Sequence, residues 1–211
     1  MKKIVCFGDS NTYGYIPGGD GRYGKKERWT GLLNEQLHPH GYSVIEEGLC
    51  GRTTIFEDEL RPGRRGADQL KLIVQRHQPI HSLIIMLGTN DCKSTYKTTA
   101  TSIGEGIEVL LRQIREIDRT IQIVLISPIF LGDDVWMSQF DPEFSMESVQ
   151  ISRQLKQVYE KIAKEYGCVF MAASDYVTPS SVDQEHMDIE GHRVFADRIY
   201  QLLQEQVLLL R

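Results

Sequence analysis

Short apolar runs alternate with helical patterns along the whole chain, and this alternation restricts the possible folds more than any other feature of the sequence. The apolar runs predict strands at residues 3–7, 43–47, 81–87, 121–126 and 168–171. Apolar residues spaced three and four apart predict helices at residues 29–37, 67–77, 103–117, 146–166 and 191–204. Strands that alternate with helices form parallel βαβ units. We therefore expect a single α/β domain over residues 1–211, a three-layer α/β/α sandwich with a five-stranded parallel sheet of flavodoxin-like type.

Composition and charge exclude several classes of partner. The chain is 41% hydrophobic and 25% charged, which is ordinary for a globular protein. A net charge of −5, without a basic stripe, argues against a nucleic-acid partner. No apolar stretch approaches the roughly 18 residues of a membrane span, and the apolar run at residues 4–7 is too short for a signal peptide. The four cysteines lack metal-like CxxC spacing, which favours reduced thiols in a cytoplasmic protein: Cys6, Cys50, Cys92 and Cys168.

Polar, glycine-containing segments follow four of the predicted strands. These segments are Gly8-Asp9-Ser10, Gly48-Leu49-Cys50-Gly51, Gly88-Thr89-Asn90-Asp91 and, before the last helix, residues 183–186. In an open parallel sheet, ligands bind beyond the carboxyl ends of the strands. We therefore expect the four segments to converge on one edge of the sheet. Two long loops, at residues 12–27 and 127–145, are the candidates for the walls of a site there.

The residue types in these segments suit acyl transfer by a serine. That chemistry needs a nucleophile, a base, a group that orients the base and donors for an oxyanion. Ser10 can be the nucleophile, His186 the base and Asp183 the orienting carboxylate. The backbone N–H groups of Ser10 and Gly51 and the side-chain amide of Asn90 can be the oxyanion donors.

Each of these residues also has a plain structural interpretation, and two other kinds of site compete. A serine after a strand is commonly an N-cap, and a glycine in a loop is commonly a turn residue. The first turn could instead cradle a phosphate or nucleotide, as in a flavodoxin-like binding protein. A third possibility is a metal site, with ligands from the set Asp183, His186, Asp188 and His192. The position of His192 inside the last predicted helix favours a helix-face residue.

Taken together and in order, the four segments resemble the nucleophile, glycine, asparagine and histidine blocks of the SGNH (GDSL-type) hydrolases. The stretches 28–31, 46–54 and 84–91 further resemble the bacterial arylesterase/acyltransferase branch of that family. The resemblance implies the SGNH hydrolase fold, a triad of Ser10, Asp183 and His186, and an oxyanion hole of Ser10, Gly51 and Asn90.

The resemblance also implies what such a protein acts on. We expect a small-molecule ester of a short acyl group as substrate, an acyl-enzyme intermediate, no cofactor or metal, and a homo-oligomer. Acyl transfer to alcohols is a further expectation, and the main alternative is an esterase for O-acetylated carbohydrates. Asn11 stands where the family usually has leucine, so we expect it to alter the substrate pocket. We expect Tyr15, Trp29 and Trp136 to line the same pocket.

Overall fold

A computed structural model describes residues 1–19 and 21–207. Its five parallel strands lie in the order β2-β1-β3-β4-β5, which is the strand order of the predicted flavodoxin-like sheet. Their bounds are β1 Lys2–Gly8, β2 Tyr42–Gly48, β3 Ser82–Met86, β4 Gln122–Ser127 and β5 Val169–Ala172. Each predicted strand is therefore confirmed to within one residue at either end.

Six α-helices connect or follow these strands in the described part of the chain. They are α1 Ser10–Tyr13, α2 Trp29–Leu37, α3 Gly66–His77, α4 Ala100–Ile117, α5 Met146–Tyr166 and α6 Ile189–Gln206. Helix α4 begins three residues before the predicted position 103, because Thr99 and Ser102 form a capping box that the apolar spacing does not reveal. Helix α1 takes up the start of the segment predicted as a loop from residue 12.

The two faces of the sheet bury two separate sets of apolar side chains. Val5 and Phe7 of β1 pack with the set that helices α3, α4 and α5 cover. Ile4 and Cys6 of the same strand pack with the set that α2 and α6 cover. Successive side chains of a strand point to opposite faces, so β1 and β3, with their unbroken apolar runs, are covered on both sides. None of the helices in the described residues is both long enough and apolar enough to cross a membrane.

The strand register brings three of the polar segments to one edge. Gly8 at the end of β1 is level with Gly48 of β2 and Met86 of β3. Added at Gly48, a Cβ atom would come within 2.2 Å of the backbone nitrogen of Tyr13, so the glycine lets α1 lie against β2. The segments that begin after these positions carry Ser10, Gly51 and Asn90, and the loop before α6 reaches the same edge from the other side.

Candidate active site

Ser10, His186 and Asp183 form one continuous chain of hydrogen bonds. The Oγ atom of Ser10 lies 2.8 Å from Nε2 of His186. The Nδ1 atom of the same imidazole lies 2.8 Å from Oδ2 of Asp183. With the proton on Nδ1, the imidazole donates to the carboxylate and accepts from the serine hydroxyl. This is the arrangement that activates a serine as a nucleophile.

The carboxylate of Asp183 also shapes the loop that carries His186. Its second oxygen, Oδ1, accepts the backbone N–H groups of Glu185, at 3.1 Å, and His186, at 3.0 Å. Gln184, which directly follows Asp183, has a φ of 61°, in the left-handed region that side chains rarely adopt. The loop at residues 127–145 supports this turn, since the N–H of Gly132 donates to the Gln184 carbonyl at 2.8 Å. Asp183 thus orients the imidazole through both the ring and the backbone.

The turn that carries Ser10 is tied to the histidine loop by Asn11. The side chain of Asn11 accepts the N–H of Met187 at 2.9 Å and donates to the carbonyl of Glu185 at 3.3 Å. Its own backbone carbonyl accepts the indole N–H of Trp29 at 2.9 Å. Both polar ends of the amide are therefore used to hold together two segments that are distant in sequence. This bridge fixes the separation of Ser10 and His186.

A buried negative charge lies beside the imidazole in addition to Asp183. The Oε1 atom of Glu185 is 3.8 Å from Nε2 of His186. Burial alone lowers the pKa of an imidazole, but the charge of Glu185 and the hydrogen bond to Asp183 together raise the pKa of His186 to about 9. Burial opposes ionisation of Asp183, yet its hydrogen bonds with His186 hold the pKa of this carboxyl below its ordinary value. Burial raises the pKa of Glu185.

A cavity of about 260 Å³ opens beside Ser10 and His186. Gly51 and Asn90 line it, and Gly51 has a φ of 77°, which favours glycine. Among the described residues, neither Ser10 nor Gly51 donates its backbone N–H to another group. The side-chain amide of Asn90 donates to the carbonyl of Arg52 at 3.2 Å, which holds the amide in place while its second N–H stays available. Ser10, Gly51 and Asn90 therefore line the cavity, and each has an N–H group without another acceptor in the described structure.

The four residues expected to line the substrate pocket lie in different places. Tyr15 lines the cavity, and its ring centre is 4.7 Å from that of His186. Trp29 is fully buried and packs edge-to-face on Phe195, away from the cavity. Trp136 packs against the core on the α3–α5 side and donates its indole N–H to the carbonyl of Asp133.

Asn11 faces the bridge described above and does not line the cavity. Of the four, only Tyr15 is placed as expected. The reason is that the two indoles and the amide each find partners inside the protein.

Charged side chains that the sequence reasoning missed make up much of the cavity wall. They are Arg61, Arg64, Lys93, Asp141 and Glu185, together with the thiol of Cys50. The sequence carried a signal for the two arginines, because they belong to the basic stretch at residues 61–65. It carried none for Asp141, which the loop at residues 127–145 delivers from a distance.

The structure also bears on the two competing kinds of site. His192 is fully buried in α6, where Nδ1 accepts the backbone N–H of Trp29 at 3.3 Å, so it is a packed helix-face residue apart from His186. In the described parts of the chain, no group of three or more histidine, cysteine and acidic side chains is arranged to hold a metal ion.

The start of α1 is capped by the Asp9 carboxylate, which accepts the N–H of Asn11 at 3.0 Å. An acidic side chain there disfavours a bound phosphate.

Comparison with known proteins gives one family. A family model described as GDSL-like Lipase/Acylhydrolase matches residues 6–194. A comparison with curated proteins finds no match. The match to the family model confirms the resemblance drawn from the four sequence blocks.

Solved structures of similar proteins cover nearly the whole chain. An aryl esterase from M. smegmatis is 31% identical, with a TM-score of 0.88, and the match covers 99% of this chain and 100% of that one. A carbohydrate acetylesterase family member from Sinorhizobium meliloti is 31% identical, with a TM-score of 0.90 and coverage of 98% and 99%. Est24, a carbohydrate acetylesterase from the same organism, is 29% identical, with a TM-score of 0.89 and coverage of 97% and 99%.

Proposed function

The chain belongs to the GDSL-like lipase/acylhydrolase family and is a carboxylic ester hydrolase, and from this premise we propose that it hydrolyses short-chain acyl esters through an acyl-enzyme on Ser10. The single observation that carries the proposal is the hydrogen-bonded chain from Ser10 through His186 to Asp183 beside a cavity with three N–H donors. The fold brings these groups together from four separate segments. Each group has the chemistry that one step of ester hydrolysis requires.

The reaction follows from this geometry. Oγ of Ser10 attacks the ester carbonyl carbon while its proton moves to Nε2 of His186. The N–H groups of Ser10 and Gly51 and the amide of Asn90 stabilise the negative charge on the former carbonyl oxygen. The bond to the alcohol then breaks, and the alcohol leaves with the proton from Nε2. Water repeats the sequence on the acyl-enzyme, and the carboxylic acid is released.

The cavity supports a small acyl group. A volume of about 260 Å³ beside Tyr15 and His186 accommodates a short acyl group. We therefore propose acetyl and other short acyl esters, including aryl esters, as substrates. A carbohydrate O-acetyl esterase is the second candidate, and the observation in its favour is the charged wall of the cavity, which suits a polar leaving group better than an apolar one.

Three further parts of the proposal concern acyl transfer to alcohols, assembly into an oligomer and location in the cell. Transfer of the acyl group to an alcohol would use the same acyl-enzyme, with the alcohol in place of water. A homo-oligomer is proposed from the resemblance to the arylesterase/acyltransferase branch, and Leu60, which is 82% exposed next to Arg61, is a candidate contact residue. A cytoplasmic location is proposed because all four cysteines are free thiols.

Labelling with a fluorophosphonate probe tests the proposed function. We expect one label per chain, located by mass spectrometry on the peptide that contains Ser10, because the probe reacts with activated serines. The same labelling should occur in the presence of EDTA. A folded wild-type protein that takes up no label, or takes it up on another serine, would contradict the assignment.

Replacing Asn90 by alanine is expected to lower kcat by about 100- to 1,000-fold, because one oxyanion donor is lost. The KM for phenyl acetate should change little, since the amide acts mainly on the charge of the transition state. Steady-state kinetics on phenyl acetate measure both constants. Thr89→Ala is the matched control, since its buried hydroxyl has no hydrogen-bond partner in the described structure. Equal rates for the Asn90 variant and the wild type would remove Asn90 from the mechanism.

The rate should rise with pH to an unusually alkaline inflection. His186 acts as a base only when neutral, and its pKa is raised to about 9, so kcat/KM should increase up to about that pH. Glu185→Gln removes the first of the causes that raise this pKa. The inflection of the variant should therefore move down towards the ordinary histidine value of about 6.5.

A pH profile of phenyl acetate hydrolysis measures this shift, because the substrate does not ionise. Glu190→Gln is the control, since Glu190 is an exposed carboxylate of the first turn of α6 that pairs with Arg193. Identical inflections in the Glu185 variant and the wild type would show that Glu185 does not act on the imidazole.

A further inference from the structure

The cations in the cavity wall are not equally neutralised. Arg61 bonds Asp58 through Nε at 2.7 Å and Glu143 through Nη2 at 2.7 Å. Lys93 forms an ion pair with Glu143 and lies 4.0 Å from Asp141. Both side chains therefore have carboxylate partners within the protein, and their charges are largely compensated.

Arg64 differs from these two cations. Within residues 1–19 and 21–207 it forms no ion pair with a carboxylate. Its Nε atom is buried and has no hydrogen-bond partner in that part of the chain. The two Nη atoms also form no hydrogen bond in that part of the chain, and unlike Nε they are not buried, so an outside acceptor can reach the guanidinium through them.

The position of Arg64 connects this cation to the reaction. A Cβ atom on Gly51 would lie 3.6 Å from both Cδ and Nε of Arg64. Gly51 is the proposed oxyanion donor, and both residues line the cavity that contains Ser10. A group bound by Arg64 would thus lie a few atoms from the carbonyl carbon under attack.

We propose that Arg64 binds a carboxylate of the substrate, so that the enzyme prefers short-chain esters that carry one negative charge near the ester bond. The planar guanidinium matches the two oxygens of a carboxylate. The carboxylates of Asp141 and Glu185 in the same wall favour a singly charged group over a doubly charged phosphate, because they repel the larger charge more. This inference rests on the proposed ester hydrolysis and names the substrate class of that site.

The test compares esters that differ only in charge. The first pair is 3-acetoxybenzoate and 3-acetoxybenzamide, which place the charge or its neutral replacement on the leaving group. The second pair is phenyl hydrogen succinate and phenyl succinamate, which place it on the acyl group. For the wild type, kcat/KM should be higher for the charged member of at least one pair, and the preference should shrink in high salt.

Arg64→Gln should lower the ratio of charged to neutral kcat/KM by about 10- to 100-fold in that pair, mainly through KM, because a charge-assisted hydrogen bond is lost. Arg64→Lys should give an intermediate ratio, since it keeps the charge without the planar fork. Arg65→Gln is the matched control: the neighbouring arginine pairs with Asp68 outside the cavity and should leave the ratio as in the wild type.

Two results would overturn the inference: a wild type without preference in either pair, and an Arg64→Gln ratio equal to the wild-type ratio. If the ratio is unchanged because both esters fall equally, Arg64 is assigned to the oxyanion instead. If Arg64→Gln fails to fold, Arg64→Lys keeps the inference testable, and a wild-type ratio in that variant would count against the planar fork. Failure of the proposed function is distinguishable, since the neutral esters would then not be hydrolysed.

Discussion

Replacing Ser10 by alanine is expected to lower kcat for ester hydrolysis by about a million-fold, the loss expected when the nucleophile of such a triad is removed. The substitution deletes one hydroxyl, so no acyl-enzyme can form. The hydrogen bonds of His186 with Asp183 and of Asn11 with the histidine loop are unaffected. The fold should therefore survive, and the residual rate should reflect only the oxyanion donors and substrate binding.

Steady-state kinetics on phenyl acetate, with circular dichroism and thermal unfolding of the same preparations, measure this effect. Ser127→Ala is the matched control. Ser127 is a fully buried serine at the carboxyl end of β4, at the same edge of the sheet, and its hydroxyl has no partner in the described structure. We expect this control to keep the wild-type kcat. A folded Ser10 variant with kcat close to the wild-type value would refute the nucleophile assignment.

Replacing Asp183 by asparagine is expected to lower kcat by about 10,000-fold. The amide keeps an oxygen that can accept the N–H groups of Glu185 and His186, so the loop geometry should be retained. What changes is the partner of Nδ1. The amide N–H of asparagine donates to Nδ1 and so favours the imidazole tautomer that carries its proton on Nε2. In that tautomer Nε2 cannot accept the proton of Ser10. The charge that stabilises the imidazolium is lost as well.

The kinetic measurement is kcat over a range of pH, because loss of the carboxylate should also lower the pKa of His186. Asp188→Asn provides the control. Asp188 is the N-cap of α6, where Oδ1 accepts the N–H of Gly191 at 2.7 Å, and asparagine is an equally good N-cap. Should the two variants lose activity to the same extent, the orienting role of Asp183 would have to be abandoned.

The sequence by itself determined the fold and predicted the triad and the oxyanion residues of the site. Strand and helix patterns depend on spacings of two to four residues, which are local and readable without coordinates. In a parallel sheet the carboxyl ends of the strands share one edge, so Ser10, Gly51 and Asn90 could be expected to meet once the strands were located. The spacing of Asp183 and His186 likewise predicted a contact that lies within one turn. Their catalytic roles stay predictions that the experiments above test.

Only the tertiary structure decided which other side chains face the site. Asn11 and Trp29 looked like pocket residues, but each finds its partners inside the protein, and a side chain's direction depends on contacts distant in sequence. The carboxylate of Glu185 beside His186 and the uncompensated charge of Arg64 beside Gly51 are also matters of three-dimensional placement. The energy of a charge depends on which charges surround it and on how far it is removed from water. That information exists only in the folded chain.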